Sequence, residues 1–281
     1  MSGIDYEAEY NNRARVPENP ALMAGWVSDA AAYREHRAPR RITYGRGPRH
    51  VIDVFAGDGQ EQDQGQDKIE TPLVVFIHGG YWQALDGSSF SHMARGLNVH
   101  GISVAVPTYD LCPQVSIAEI IAEMQQATRE LAKLSDRLVI SGHSAGGHLA
   151  ACMLATDWKA CDARLPPRLV SAAYAISGLF ELEPLVPTSI NKALRLVPAA
   201  ARASSPRFWK PPSHGSLDAV VGETESAEYH RQSRSIVEAW GNAGMATQYG
   251  TVPAANHFTA IAPLADPASP MTLRLKELAG R

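Results

Sequence analysis

Cysteine is scarce in this chain of 281 residues: it has only Cys112, Cys152 and Cys161. An odd count at scattered spacing describes neither a disulfide framework nor a zinc cluster. It reads as free thiols in a reducing compartment, here the cytoplasm. Long apolar runs are absent too. No stretch approaches the roughly 20 apolar residues of a membrane-spanning helix, and the opening MSGIDYEAEYNNRARVPENP is too polar for a secretory signal. Charge of one sign is not in excess. A formal net charge of −3 offers no basic field to nucleic acid. What remains is an ordinary globular composition, 45% hydrophobic and 20% charged. Such a chain is long enough to bury a large core without covalent staples.

Along the chain, strand-like and helix-like stretches alternate without an internal repeat. The first 40 residues carry Pro17, Pro20, Pro39 and many charges, and predict short helices and coil over the surface. RITYGRGPRHVIDVFAG reads as two short strands with a turn at Gly45–Pro48. The polar, Gly-rich stretch 57–70 predicts an exposed hairpin loop or insertion. PLVVFIHGG (72–80), ISVAVPTYDL (102–111), RLVIS (137–141) and RLVSAAYAISGLF (168–180) are near-continuous apolar runs. Strands covered on both faces read this way. Residues 116–134 repeat apolar positions at helical spacing behind a Ser116/Glu119 capping box. LDAVVG (217–222) and MATQYGTVP predict further strands, with a helix between them. The pattern predicts one α/β domain over 1–281, with a mostly parallel central sheet flanked by helices. A small cap insertion is expected at about 181–213.

Parallel sheets carry their chemistry at the carboxyl ends of the strands. HGGYW (78–82), GHSAGG (142–147), GETES (222–226) and AANH (254–257) all fall there. In GHSAGG a Gly-x-Ser-x-Gly lies between a strand and a helix, the setting in which such a serine is raised as a nucleophile. Ser144 is therefore the candidate nucleophile. Gly142 and Gly146 clear the space for a strained turn. Acyl transfer to a serine needs donors for the oxyanion. The N–H of Ala145, just after the serine, is one candidate, and those of Gly80 and Tyr81 in the glycine loop are the others.

The base follows the last strand in this chain order, which selects His257 over His148, His214 and His230. His78 and His143 read as structural imidazoles. The orienting acid should follow the LDAVVG strand. Position alone leaves both Glu223 and Glu225, since Asp218 sits at the wrong end of that strand.

These residues resemble the α/β-hydrolase-fold kynurenine formamidases, the arylformamidases, over most of the chain. The resemblance is carried by YNNRARVP (10–17), HGGYW, GHSAGGHLA, ISGLFELEPL (176–185) and ESAEYHRQS (225–233). It implies an α/β-hydrolase fold and a Ser-His-acid hydrolase. The family's acid, an aspartate, falls on Glu225, a longer carboxylate that other hydrolases of this fold use. A second kind of kynurenine formamidase holds a metal in a His-rich motif. The sequence shows no such motif, so neither metal nor cofactor is expected.

The resemblance implies a small-molecule substrate, an aryl formamide such as N-formylkynurenine or a related aryl amide or ester. Tyr81, Trp82, Phe180 and Trp209 are the aromatics expected at the site edge, with core or cap packing as the alternative for each. Two other readings stand beside it: a small-ester carboxylesterase, and a catalytically silent binding protein on the same fold. No nucleic-acid or membrane partner is expected, and a homodimer stays open.

Overall fold

The computed structural model describes residues 3–60, 68–69 and 72–280. Most of the 57–70 insertion read from the sequence lies outside the described residues. The strands are β1 (Arg40–Thr43), β2 (Val51–Phe55), β3 (Leu73–Ile77), β4 (Val104–Pro107), β5 (Leu138–His143), β6 (Val170–Ile176), β7 (Ser216–Gly222) and β8 (Ala246–Val252). They form one eight-stranded sheet in the order β1-β2-β4-β3-β5-β6-β7-β8. The β1–β2 and β2–β4 pairs are antiparallel, and all later neighbours are parallel. This is the α/β-hydrolase fold, in agreement with the sequence.

The helices are α1 (Tyr6–Tyr10), α2 (Asn12–Arg15), α3 (Asn19–His36), α4 (Arg95–Val99), α5 (Ile117–Leu131), α6 (Ala145–Ala155), α7 (Trp158–Cys161), α8 (Asn191–Leu194), α9 (Pro198–Ala203), α10 (Ala227–Gly241) and α11 (Pro270–Leu278). They cover both faces of the sheet. On one face Ile120 and Met124 of α5, Leu149 of α6 and Ile236 of α10 pack with Val75 and Ile140. On the other, Trp26 of α3, Leu97 of α4 and Leu275 of α11 pack with Val74 and Val139. Every residue of β3 and β5 is therefore buried, which is why those runs are apolar throughout rather than alternating. Each such aliphatic side chain contributes about 1.5–3 kcal/mol by leaving water.

The start of α5 shows local sequence deciding a boundary. The Ser116 hydroxyl accepts from the Glu119 N–H at 3.3 Å, and the Glu119 carboxylate accepts from the Ser116 N–H at 2.7 Å. Two of the helix's orphan donors are satisfied this way.

The N-terminal segment is less superficial than its charges suggest. Tyr10 is fully buried. Its hydroxyl donates to Glu228 Oε2 at 2.8 Å and accepts from Gln232 Nε2 at 2.8 Å. Glu9 accepts from the Glu228 N–H at the start of α10. Trp26 packs on Phe90 and Phe258, with centroids 5.2 and 5.9 Å away. Between β6 and β7, residues 181–213 form only short helical turns, including α8 and α9. The Ser189 N–H and hydroxyl donate to Glu7, at 2.6 and 2.7 Å, and join this stretch to α1.

Candidate active site

Ser144 sits between β5 and α6 in a backbone state that side chains avoid, φ 57° and ψ −116°. Such a conformation costs on the order of 1–3 kcal/mol and persists only where its surroundings enforce it. Two glycines do so. A Cβ on Gly142 would lie 2.2 Å from Gly146 O, and one on Gly146 would lie 2.0 Å from Ile77 O. The Ser144 N–H donates to Ile176 O at 2.8 Å, which pins the turn to β6.

His257 lies in the loop after β8. The Asn256 side-chain oxygen accepts from the N–H groups of Phe258 and Thr259, at 2.9 and 3.1 Å, and fixes that loop. His143 Nε2–H donates to the His257 carbonyl at 2.8 Å. Burial, with the nearby His257 charge, holds the His143 pKa well below the ordinary histidine value. It serves as a neutral strut. His257 Nε2 is 3.1 Å from Ser144 Oγ, and Nδ1 is 2.7 Å from Glu225 Oε2.

Glu225 follows β7, and its side chain is buried. Its second oxygen accepts from the Gly222 N–H at 2.7 Å and from the Ser177 hydroxyl at 2.5 Å. Glu223 is turned elsewhere and accepts from the Ala254 N–H at 2.7 Å. The carboxylate against His257 is thus that of Glu225.

The glycine loop runs beside the serine. A Cβ on Gly79 would lie 3.0 Å from Ser144 Cβ. Gly80, Tyr81 and Trp82 are all left-handed, with φ 106°, 50° and 54°. Among the described residues, the N–H groups of Gly80, Tyr81 and Ala145 have no hydrogen-bond acceptor. Unpaired backbone donors inside a fold are rare; here one belongs to the residue after Ser144 and two to the glycine loop that passes beside it.

Known proteins match this chain along most of its length. The BD-FAE family matches residues 62–168. Kynurenine formamidase of Danio rerio is 28% identical over 249 residues, 85% of this chain and 81% of the fish chain. An Arabidopsis thaliana isoprenylcysteine alpha-carbonyl methylesterase is 27% identical over 219 residues, 73% of this chain and 50% of the plant chain. The crystal structure of a candidate thioesterase from Silicibacter sp. TM1040 superposes with a TM-score of 0.83 at 34% identity. It covers 96% of this chain and 98% of that one. The chain has the α/β-hydrolase fold of these proteins and is similar to the kynurenine formamidases over most of its length. It is a hydrolase acting on amide or ester bonds.

A cavity of about 480 Å³ opens on Ser144 and His257 in this hydrolase. Its aromatic wall differs from the one expected. Tyr81 lines it, together with Tyr10, Trp26 and Phe258. Trp82, Phe180 and Trp209 are not among its lining residues. Past the left-handed turn, Trp82 enters the core and meets the His148 ring edge-on at 5.0 Å. Phe180 is fully buried, and its N–H donates to Gln232. Trp209 is half-buried, and its indole N–H donates to Ala203 O at 2.8 Å. Closeness in sequence to the site motifs did not become closeness in space for these three.

Two further buried histidines are held by local contacts. His78 stacks on Tyr109 at 4.2 Å, and burial lowers its pKa to about 4. His148 Nε2–H donates to Ser204 O, and burial likewise lowers it to about 4. Among the described residues, one group of possible metal ligands comes together: His50, Asp110 and Glu123, with ligand atoms within 4.8 Å. None of the three lines the cavity at Ser144. His50 Nε2 lies 3.2 Å from Asp110, an ion-pair geometry once the ring is protonated.

Sequence reasoning passed over Tyr10, Asn12, Ser177 and Tyr229, all of which touch the site. The signal for all four was present in YNNRARVP, ISGLFELEPL and ESAEYHRQS, which resembled the family without an obvious chemical reason.

Proposed function

We propose that this hydrolase cleaves a small aryl formamide of the N-formylkynurenine kind, or a related aryl amide or ester, through an acyl-enzyme on Ser144. The observation that carries the reading is the unbroken chain Ser144 Oγ–His257–Glu225, whose serine and histidine line the cavity. A catalytically silent binding protein has no need of all three groups in register.

The Ser144 hydroxyl proton passes to His257 Nε2 as Oγ bonds to the formyl carbon. Glu225 keeps the imidazole in the required tautomer and stabilises its cation. The N–H groups of Gly80, Tyr81 and Ala145 receive the oxyanion, each worth roughly 3 kcal/mol of barrier. His257 then gives its proton to the departing nitrogen, and the C–N bond breaks to release the arylamine. Water, deprotonated by His257, attacks the formyl ester, and formate leaves as Ser144 regains its proton.

The formamide is favoured by relatives named kynurenine formamidases and by the aromatic wall of Tyr10, Trp26, Tyr81 and Phe258. We further propose residues 181–213 as a cap, since Ser189 and Ile190 close one side of the cavity. Ester cleavage is the second reading, favoured by the methylesterase and thioesterase similarities. Comparing kcat/KM for N-formylkynurenine and phenyl acetate separates them. A value for the formamide at or above that for the ester supports the first reading, and no formamide turnover overturns it.

A further inference from the structure

The side chain of Tyr81, on the glycine loop, reaches into the N-terminal segment. Its hydroxyl donates to the Tyr10 carbonyl at 2.6 Å and meets the Tyr229 hydroxyl at 2.7 Å. Tyr229 Oη in turn lies 2.8 Å from Asn12 Nδ2. The directions of these bonds are fixed at both ends. The carbonyl can only accept, so it takes the single Tyr81 proton. The amide nitrogen can only donate, so Tyr229 Oη accepts from it and gives its own proton to Tyr81 Oη. The chain of bonds begins and ends in the N-terminal segment, with Tyr81 pinned between. Burial raises the pKa of both phenols, so both stay neutral O–H groups. The anchor is itself firmly held: Tyr10 is fully buried, and its hydroxyl is bonded to Glu228 and Gln232.

The backbone of Tyr81 needs such a restraint. It is left-handed at φ 50°, between Gly80 at 106° and Trp82 at 54°, a conformation that residues with a Cβ disfavour. The Gly80–Tyr81 peptide also carries one of the unpaired N–H groups. Its carbonyl side is held by the loop, because Gly80 O accepts from the Gln83 and Ala84 N–H groups at 3.0 and 3.1 Å. In a trans peptide the Tyr81 N–H then points the opposite way. The other side of this peptide is the Tyr81 Cα, whose direction follows the side chain. A tyrosine turns about only two side-chain dihedrals. Fixing Oη by two hydrogen bonds therefore fixes the Cα–Cβ direction, and with it the tilt of the N–H.

We infer that the Tyr81 hydroxyl is a positioning group for the glycine loop: tied to the Tyr10 carbonyl and to Tyr229, it holds a left-handed residue so that its own N–H stays turned to the substrate's carbonyl oxygen. This role rests on the reading that the N–H groups of the loop receive the oxyanion. It gives the YNNRARVP segment a part in turnover, since Tyr10 and Asn12 supply the two ends of the tether.

Tyr81→Phe keeps the ring and the backbone and removes the tether. With phenyl acetate, kcat should fall about 10–50-fold at nearly constant KM, less than the about 10²–10³ lost when an oxyanion donor is deleted outright. Phenylboronic acid, whose tetrahedral serine adduct presents an oxygen to the same donors, should lose affinity by a similar factor. Tyr229→Phe leaves the bond from Tyr81 to Tyr10 and removes the other, so kcat should fall about three- to tenfold. Because Tyr229 acts through Tyr81, the double substitution should lower kcat no further than Tyr81→Phe alone. A hydroxyl that served stability only would lower the urea midpoint and leave kcat and boronate affinity within about twofold of the parent, and that result overturns the role. Should Tyr81→Phe fold poorly, Tyr229→Phe decides: kcat within about twofold of the parent again overturns it. The reading beneath fails separately. If phenylboronic acid does not inhibit the parent, or an organophosphate labels a residue other than Ser144, the serine and its oxyanion donors fall first. Inhibition and Ser144 labelling of the parent, with undiminished variants, remove only the tether.

Discussion

Ser177 holds Glu225 from behind: its hydroxyl donates to Oε1 at 2.5 Å while Oε2 faces His257 at 2.7 Å. Ser177 is itself left-handed, with φ 52°, and its N–H is tied to Val220 O at 2.7 Å. A carboxylate one methylene longer than the family's aspartate has more freedom to turn away from the base. The donors from Ser177 and Gly222 remove that freedom. Ser177→Ala should therefore lower kcat by about tenfold, the worth of one hydrogen bond to a charged group. Unfolding stability should change little. A kcat equal to the parent's would show that Gly222 suffices.

Glu225→Gln should be more severe. An amide can present its N–H to Nδ1 and impose the wrong tautomer on His257, an effect of about 10⁴-fold in serine proteases. Glu223→Gln is the control. Its carboxylate serves the Ala254 N–H, so steady-state turnover should stay within about threefold of the parent's. The reverse ranking would transfer the acid role to Glu223.

Ser144→Ala should fold as the parent does and lose nearly all turnover, because removing the nucleophile of a triad costs about as much as removing all three members. Mass spectrometry after organophosphate treatment should place the adduct on the peptide containing Ser144. An adduct on another serine would sink the assignment.

How much of this was legible in the sequence depends on the distance over which each feature is decided. The strands β3 to β7 were readable because burial on both faces writes itself into every residue. The elbow was readable because Gly142 and Gly146 are demanded by contacts within the motif and with the neighbouring strand. Glu225 could not be separated from Glu223 by position. Their difference lies in a tight turn, Glu225 N–H to Gly222 O at 3.1 Å, which sends neighbouring side chains in opposite directions. Of the two places open to Trp82, site edge or core, it takes the core, at the end of a turn in which Gly80, Tyr81 and Trp82 are all left-handed. The Asn12–Tyr229 pair joins residues 217 positions apart, and no local pattern encodes such a contact.

Chelation should leave activity unchanged, since the proposed mechanism draws its nucleophile and its charge stabilisation from side chains and backbone. Exhaustive dialysis against a strong chelator, followed by assay with phenyl acetate, checks this. Activity that disappears and returns with zinc or manganese would contradict the serine mechanism.

Acid should weaken the fold before it protonates most carboxylates. His78 and His148 are buried neutral, each with its pKa lowered by burial to about 4. In the unfolded chain both bind a proton near pH 6.5. Above that value their contribution is fully present. As pH falls from about 6.5 toward 4, the unfolded state takes up protons that the folded state refuses, and up to about 3 kcal/mol per histidine is lost. Urea midpoints should decline steadily over this window. A midpoint constant from pH 7 to pH 4.5 would show that these rings are protonated in the folded state.

The elbow glycines should tolerate no side chain. At Gly146 the obstacle is Ile77 O, 2.0 Å from the position of a Cβ, with Ile77 C at 2.6 Å and His78 O at 2.7 Å. All three are backbone atoms at the end of β3, so no rotamer change relieves the clash. Gly146→Ala should destabilise the protein by at least about 1–3 kcal/mol, the usual cost of overpacking, and displace Ser144 from His257. A urea midpoint within error of the parent's would show that α6 can shift away from β3.

Substrate length should be limited by Trp26. Its ring lines the cavity and is wedged among Phe90, Phe258 and His143, the last edge-on at 6.4 Å. A wall braced on three sides does not move aside for a longer acyl chain. Within a p-nitrophenyl ester series, kcat/KM should therefore peak at acetate or butyrate and fall steeply by octanoate. Trp26→Phe retains an aromatic contact with Phe90 and Phe258 but shortens the wall. The octanoate-to-acetate ratio of kcat/KM should then rise about tenfold, within the 10–200-fold that one methylene of pocket fit commands. If the parent already prefers chains of eight carbons or more and leaves the formamide uncut, the cavity is a lipase-like acyl site and the aryl formamide assignment fails. If the parent prefers short chains but Trp26→Phe leaves the ratio unchanged, the limit lies in another wall, and Tyr81, held by the Tyr10 carbonyl and Tyr229, is the next to test.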